Sequence, residues 1–186
     1  VRVSDGFGFV DQNWQISIIL PNLTKDVNSY ANGDSNPESL ITIDEILYFV
    51  ADDGIHGMEL WRTNGTVEGT FMVKDLMLGS SGSCPRELRV CNNKIFFVAN
   101  NGSVGEELCV SDGTDAGTHV VKDINPGNDW GILNAFSLFD YNGILVFAGT
   151  DGIHGQELWR SDGTESGTYM IKDISEGGGS NQSIPL

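Results

Sequence analysis

The chain has 186 residues, and its 26 acidic and 10 basic side chains give a formal net charge of −16. This acidic balance argues against nucleic acid or an anionic membrane surface as a partner, because both attract basic patches. The longest apolar run, ILYFVA at 46–51, is far shorter than the roughly 18 residues of a membrane-spanning helix. The composition therefore favours cations as partners.

The first 37 residues are predicted to be part of a repeat. The sequence VSDG at 3–6 and the sequence KDV at 25–27 match VSDG and KDI of a later unit, although the segment between them is longer here. The extra residues lie in FGFVDQNWQISIIL at 7–20, which alternates in the manner of a strand. We interpret residues 1–37 as the outer strands of one unit with an inserted hairpin. The alternative is a contact surface specific to this repeat.

Three complete units follow, at 38–86, 87–135 and 136–186, and the last includes the start of another. They are marked by equivalent glycines that lie 48 and then 50 residues apart, namely Gly54, Gly102 and Gly152. Each unit has two apolar segments joined by a two-residue turn, a third segment reading ELWRT, ELCVS or ELWRS, and a fourth reading TFMVKDL, THVVKDI or TYMIKDI. Short segments of this kind between turn signals are typical of antiparallel strands, so we predict four strands in each unit.

The second segment of each unit, ILYFVA, IFFVA or ILVFA, is apolar at nearly every position. A strand with one face in water alternates, whereas a continuously apolar strand is covered on both faces. Four strands in about 48–50 residues match the size of a β-propeller blade, which is sandwiched between two neighbours. We therefore predict an all-β fold of tandem four-stranded blades. A β-trefoil, which also has three four-stranded repeats, is the alternative.

One phrase recurs in the three units, as GMELWRTNGTVEGTFMVKDL at 57–76, GEELCVSDGTDAGTHVVKDI at 105–124 and GQELWRSDGTESGTYMIKDI at 155–174. The phrase resembles the ELWxxDGT repeat family, and the resemblance covers roughly residues 38–174. The chain departs from the pattern with Cys109 in place of tryptophan and Asn64 in place of aspartate. The resemblance implies an exported, β-propeller-like protein, secreted or displayed at the cell surface, in a family without a settled activity.

The repeat pattern begins within one unit and stops at the start of another. We therefore expect that the chain is a segment of a longer one, or that a second copy completes the ring of blades. Open blade edges would otherwise expose unpaired backbone groups. The expected partners are proteins or other copies of the chain, with glycans as a further class.

The third and fourth strands of each unit are joined by an Asn-Gly-Thr or Asp-Gly-Thr turn. The Asn or Asp side chain and the hydroxyl in such a turn bond neighbouring backbone groups, so we assign them a structural role. The turn residues are Asn64, Gly65, Thr66, Asp112, Gly113, Thr114, Asp162, Gly163 and Thr164. A Lys-Asp pair recurs at 25/26, 74/75, 122/123 and 172/173. We interpret it as a bond between strands or blades, and four equivalent ligand sites are the alternative.

Carboxylates near the turn before the third strand are candidate calcium ligands, because calcium takes about six to eight oxygen ligands. The candidates are Asp52, Asp53, Glu59, Asp151 and Glu157. Their spacing does not match the EF-hand loop, and ordinary turn chemistry is the alternative. His56 and His154 lie in the same turns and are predicted to be surface residues. One histidine in each of two distant turns cannot build a three-ligand metal site.

The cysteines and the sequons allow two kinds of modification, a disulfide and N-glycosylation. Cys84, Cys91 and Cys109 form no CxxC pair, which gives no indication of a zinc site, and their odd number allows one disulfide between two of them. Four Asn-x-Ser/Thr sequons occur, at Asn22, Asn64, Asn101 and Asn181. They are glycosylation sites only in a host with a glycosylating secretory pathway.

No catalytic motif is present, since the chain has no G-x-S-x-G elbow, no HExxH and no P-loop. The sequence therefore predicts a non-catalytic extracellular structural or interaction module, with calcium as a candidate stabilising ion. The first alternative is a carbohydrate-binding module in which Trp61 and Trp159 stack on sugars. The second is a hydrolase or lyase at the mouth of a propeller channel, which requires unlike polar groups to converge on one point.

Overall fold

The computed structural model describes residues 3–4, 9–10, 25–30, 33–132 and 138–175. Short strands β1 (Val3–Ser4) and β2 (Phe9–Val10) pair with each other. The first sheet contains β3 (Glu38–Ile43), β4 (Ile46–Asp52), β5 (Met58–Thr63) and β6 (Phe71–Lys74). The second contains β7 (Arg86–Cys91), β8 (Lys94–Asn100), β9 (Glu106–Ser111) and β10 (His119–Val120). The third contains β11 (Phe139–Tyr141), β12 (Ile144–Thr150), β13 (Gln156–Ser161) and β14 (Tyr169–Lys172).

Each of the three large sheets is a four-stranded antiparallel meander in which the strand order follows the chain order. The prediction of an all-β fold with four strands per unit is confirmed for these sheets. The described residues form no helix, so none that is long and apolar enough to cross a membrane. The insertion at 7–20 lies largely outside the described residues, and its role stays a prediction.

The two-residue turns place the first two strands of each unit in register. Asn142 and Gly143 both have positive φ, of 54° and 81°, as the predicted Asn-Gly hairpin requires. The corresponding turn of the second sheet uses Asn92 and Asn93, also with positive φ. Asparagine tolerates the left-handed region better than most residues do, so the local sequence is sufficient to form these hairpins.

The three sheets stack face to face, and the middle one is covered on both sides. Ile95 and Phe97 of β8 pack with Tyr48 and Leu60 of the first sheet, while Phe96 of β8 packs against the third sheet. All the residues of β8 from 95 to 99 are buried. The prediction that a continuously apolar second strand is covered on both faces is confirmed for this sheet.

We call the side of each sheet that carries Leu60, Leu108 or Leu158 its forward face, and the opposite side, with Phe49, Phe97 or Phe147, its rear face. The forward face of each of the first two sheets packs on the rear face of the next. The first strands of successive sheets, β3, β7 and β11, lie beside one another. The sheets thus fan out from a common edge and are not closed into one barrel, which gives no support to the β-trefoil alternative.

Candidate functional site

The Asp-Gly-Thr turns are closed by their own side chains. Asp112 Oδ1 accepts hydrogen bonds from the backbone N–H of Thr114 at 2.9 Å and from its hydroxyl at 2.6 Å. The Thr114 hydroxyl oxygen in turn accepts the Gly117 N–H at 3.0 Å. These bonds, led by the one from the Thr114 hydroxyl, hold the pKa of Asp112 below its usual value. Equivalent bonds close the turns at Asn64 and Asp162, in keeping with the structural role predicted for them.

A buried glutamate at the second position of each ELW or ELC segment ties the third strand to the linker that leaves the sheet. Glu59 Oε1 accepts the N–H groups of Met77 at 3.2 Å and of Ser83 at 2.8 Å, and Oε2 accepts the Ser83 hydroxyl at 2.5 Å. Burial raises the pKa of Glu59, and the bonds from Ser83 oppose that rise. Glu157 accepts the N–H groups of Ile174 and Ser175 in the same way. We call this arrangement the linker clamp.

The linker clamp of the second unit lacks one hydrogen bond. Glu107 is fully buried, and its Oε1 accepts the Asn125 N–H at 3.1 Å, but its Oε2 has no hydrogen-bond partner among the described residues. Gly131 stands where the first unit has Ser83, so no hydroxyl is present to donate. Burial, with a smaller contribution from the nearby charge of Asp123, raises the pKa of Glu107 to about 8. These surroundings therefore favour the protonated form of the Glu107 carboxyl group.

The carboxylates proposed as calcium ligands are bonded within the protein. Asp53 Oδ1 accepts the N–H groups of Ile55 and His56, both at 2.8 Å, and Oδ2 is 2.7 Å from His56 Nδ1. Asp151 and His154 repeat this arrangement. Asp52 accepts the Gly54 N–H, and Glu59 and Glu157 are in the linker clamps. Within the ranges that the structure describes, no group of three or more His, Cys, Asp or Glu residues is placed to hold a metal ion.

The aspartate and the histidine of the turn before the third strand are either both present or both absent in a unit. The second unit has Asn101 at the position of Asp53 and Val104 at the position of His56. Where the pair occurs, the hydrogen bond that the histidine donates to the aspartate raises the pKa of His56 and of His154. The two histidines thus act as partners of a turn aspartate, and each is partly exposed to solvent.

The repeated lysines bond from one sheet to the next. Lys74 Nζ donates to the carbonyl oxygen of Thr118 at 2.9 Å, and Lys122 Nζ donates to that of Thr168 at 2.9 Å. Lys25 reaches Thr70 in the same way at 2.7 Å. The interpretation of the Lys-Asp pair as a bond between strands or blades is confirmed for Lys74 and Lys122 in the form of a bond between successive sheets. The aspartates at 75, 123 and 173 each keep one buried Oδ1 without a partner among the described residues.

Trp61 and Trp159 are core residues. Each is only 6% exposed and pairs across the strands with a phenylalanine, Phe49 or Phe147. Cys109 occupies the equivalent position opposite Phe97. A ring buried in this way cannot offer a face to a sugar. Trp61 and Trp159 therefore give no support to the carbohydrate-binding alternative.

All three cysteines are free thiols in the structure, so it shows no disulfide. Cys84 is exposed, whereas Cys91 and Cys109 are buried. Burial, followed by a hydrogen bond with Asp140, raises the pKa of Cys91 to about 12, which makes this thiol a poor nucleophile.

Two of the four sequons fall within the described residues. Asn64 is exposed, and Asn101 is half-buried in the turn between β8 and β9. Asn22 and Asn181 lie outside the described residues. Glycosylation therefore stays a prediction, with Asn64 as the more accessible of the two described sites.

Sequence reasoning missed the linker clamp. The equivalent spacing of Glu59, Glu107 and Glu157 was visible, but their partners are backbone N–H groups, which carry no side-chain signal. Comparison with models of protein families, with curated proteins and with solved structures gave no match. The resemblance to the ELWxxDGT family therefore depends on the repeated phrase.

Proposed function

We propose that the chain is a non-catalytic extracellular module, structural or interaction-mediating, built from β-propeller blades. One observation carries this proposal. The recurring Asn or Asp of the turns, the clamp glutamates, and the lysines at 25, 74 and 122 all bond the protein's own backbone. Catalysis needs unlike polar groups that converge on one point, whereas these recurring groups of the described residues are distributed evenly among the units.

The propeller interpretation is supported by the stacking of successive sheets and by the contacts among their first strands. In a propeller each four-stranded blade packs on two neighbours around a central axis. The extracellular location is supported by the resemblance to an exported family and by the acidic composition. The partners of the chain are proposed to be proteins, including copies of the chain itself, rather than nucleic acid or lipid.

The carbohydrate-binding alternative and the hydrolase or lyase alternative provide the sharpest test of this proposal. The purified chain should bind no glycan on an array of soluble and immobilised polysaccharides and should release no reducing ends or unsaturated sugars from them. A heat-denatured sample provides the background. Saturable binding to one glycan class would favour the carbohydrate-binding alternative, and turnover above background would overturn the non-catalytic proposal in favour of a hydrolase or lyase.

A further inference from the structure

The turn between β5 and β6 carries an amide, Asn64, where the equivalent turns of the other two sheets carry the carboxylates Asp112 and Asp162. Asn64 Oδ1 accepts the Thr66 N–H at 3.1 Å and the Thr66 hydroxyl at 2.7 Å. In the third sheet, Asp162 Oδ1 accepts the same two groups of Thr164 at 2.9 and 2.7 Å. The amide thus occupies a turn whose hydrogen bonds suit an aspartate equally well.

The groups around Asn64 favour attack on its side chain by the next backbone nitrogen. Asn64 and Gly65 are both exposed, and glycine has no Cβ to hinder a close approach by its backbone. The two donors on Asn64 Oδ1 polarise the side-chain carbonyl group, as the donors of an oxyanion hole do in acyl transfer. The Gly65 N–H donates to the Thr63 hydroxyl oxygen at 2.9 Å. An acceptor is therefore already in place for the proton that the attacking nitrogen loses.

Two further Asn-Gly pairs lie within the described residues, at 101–102 and 142–143, and their surroundings are less favourable. Asn101 is half-buried, and its Oδ1 accepts two backbone N–H groups at 3.0 and 3.3 Å in place of a hydroxyl. The Gly143 N–H, next to Asn142, donates to the carboxylate oxygen Asp140 Oδ1 at 2.8 Å. A bond to a charged acceptor holds this nitrogen more firmly than a neutral hydroxyl would.

We propose that Asn64 is a site of spontaneous deamidation, which converts the turn of the first sheet to the aspartate form of the other two. The Gly65 nitrogen forms a bond to Asn64 Cγ, the Cγ–Nδ2 bond breaks, and the proton of the Gly65 nitrogen leaves with Nδ2 as ammonia. Water then opens the resulting succinimide ring, at Cγ to give aspartate or at the backbone carbonyl carbon to give isoaspartate. The aspartate keeps both bonds from Thr66 and adds one negative charge.

Peptide mapping by mass spectrometry tests the proposal on the intact folded chain, made in a host without N-glycosylation and incubated in mildly alkaline heavy-oxygen water. Asn64 should lose its amide at least about tenfold faster than Asn101 and Asn142, a difference that one or two net hydrogen bonds to the transition state provide. Each ammonia lost should be replaced by one heavy oxygen. In urea the three rates should become similar, because their order depends on the folded turns.

A matched pair of variants tests the role of the hydroxyl donor. Thr66→Val removes it with little change in side-chain shape, and Thr114→Val makes the same change in a turn that already carries an aspartate. Thr66→Val should slow the reaction of Asn64 about fivefold in the folded chain, as expected for one hydrogen bond, and not in urea. Thr114→Val should leave the rate at Asn64 as it is in the parent chain.

Two results would overturn the proposal. One is a folded parent chain in which Asn64 reacts no faster than Asn101 and Asn142, a comparison that needs no variant to fold. The other is a folded Thr66→Val chain that loses the Asn64 amide at the parent rate. The proposal does not depend on the proposed function, since neither measurement involves glycan binding or turnover.

Discussion

A single neighbouring side chain decides which protonation state a buried carboxyl group favours in this protein. Glu59 and Glu107 occupy equivalent positions and are both fully buried. Glu59 accepts a hydrogen bond from the Ser83 hydroxyl, whereas Glu107 faces Gly131 and has one oxygen without a partner in the described part of the chain. A hydrogen bond to the charged form of an acid lowers its pKa, and burial without that bond raises it. The second unit therefore holds a group that favours the protonated form near neutral pH.

Substitution of Glu107 by glutamine should change how stability depends on pH. The ordinary pKa of 4.5 rises to about 8 in the folded protein, so the folded state binds this proton more tightly than the unfolded state does. The group's contribution to stability is then complete below about pH 4.5, falls as the pH rises toward 8 and is constant above it. Glutamine cannot ionise, so the Glu107→Gln chain should gain stability relative to the parent across this range, by about 1.4 kcal/mol per unit at most.

Urea unfolding of both chains from pH 5 to pH 9 measures this difference. Glu68→Gln, in an exposed loop, is the control, and its difference from the parent should not vary with pH. Equal pH dependence in the Glu107→Gln chain and the parent would mean that Glu107 is ionised normally in the folded state.

At the scale of the element, the sheets are joined by side chains that reach from the last strand of one sheet to the turn between the third and fourth strands of the next. Lys74 at the end of β6 donates to two carbonyl oxygens of the second sheet, those of Thr118 and Asp115. Lys172 ends β14 at the equivalent position but is exposed at the open face of the third sheet. The same residue type in the same local sequence thus has different surroundings in the two units.

These surroundings predict unequal effects for one substitution. Lys74→Met should lower the free energy of unfolding by about 1–2 kcal/mol, because two hydrogen bonds from a charged donor are lost. Lys172→Met should lower it by less than about 0.5 kcal/mol, as expected for an exposed side chain. Equilibrium urea unfolding at low protein concentration gives both values. Equal losses would indicate that the lysine acts within its own sheet and not between sheets.

At the scale of the whole molecule, the acidic balance produces a general electrostatic repulsion, and the described residues contain no cluster of three or more His, Cys, Asp or Glu side chains placed to hold a metal ion. The net charge of −16 disfavours the compact state, and any added cation screens it. The carboxylates of Asp53 and Asp151, which could have served calcium, are bonded to a histidine and to backbone N–H groups. The structure therefore favours ordinary turn chemistry for these residues, and calcium binding stays an untested prediction.

Thermal unfolding distinguishes general screening of charge by cations from specific binding of calcium. Calcium chloride and magnesium chloride at equal concentration should raise the Tm of the chain equally, and EDTA should leave the Tm of a metal-free sample unchanged. Screening depends on charge and concentration, whereas a site made for calcium would distinguish it from the smaller magnesium ion. A saturable rise in Tm with calcium alone would restore Asp52, Asp53 and Asp151 as candidate ligands.

The sequence by itself determined the number and order of the strands in the three large sheets, the hairpin turns and the burial of both faces of β8. These features depend on interactions between near neighbours, such as the positive φ of Asn142, or on a short hydrophobic pattern that needs no knowledge of the partner. The Asp-Gly-Thr turns belong to the same class, because Asp112 bonds a residue two positions away.

Only the tertiary structure decided which polar groups meet and which apolar groups stay exposed. Glu59 finds its partner 24 residues away, and the backbone N–H groups that it binds have no signature in the sequence. Leu60 and Leu158 lie in nearly identical segments, yet one is buried and the other open, because burial depends on whether another sheet packs on that face. Local sequence specifies each sheet, and the stacking of the sheets specifies the environment of its side chains.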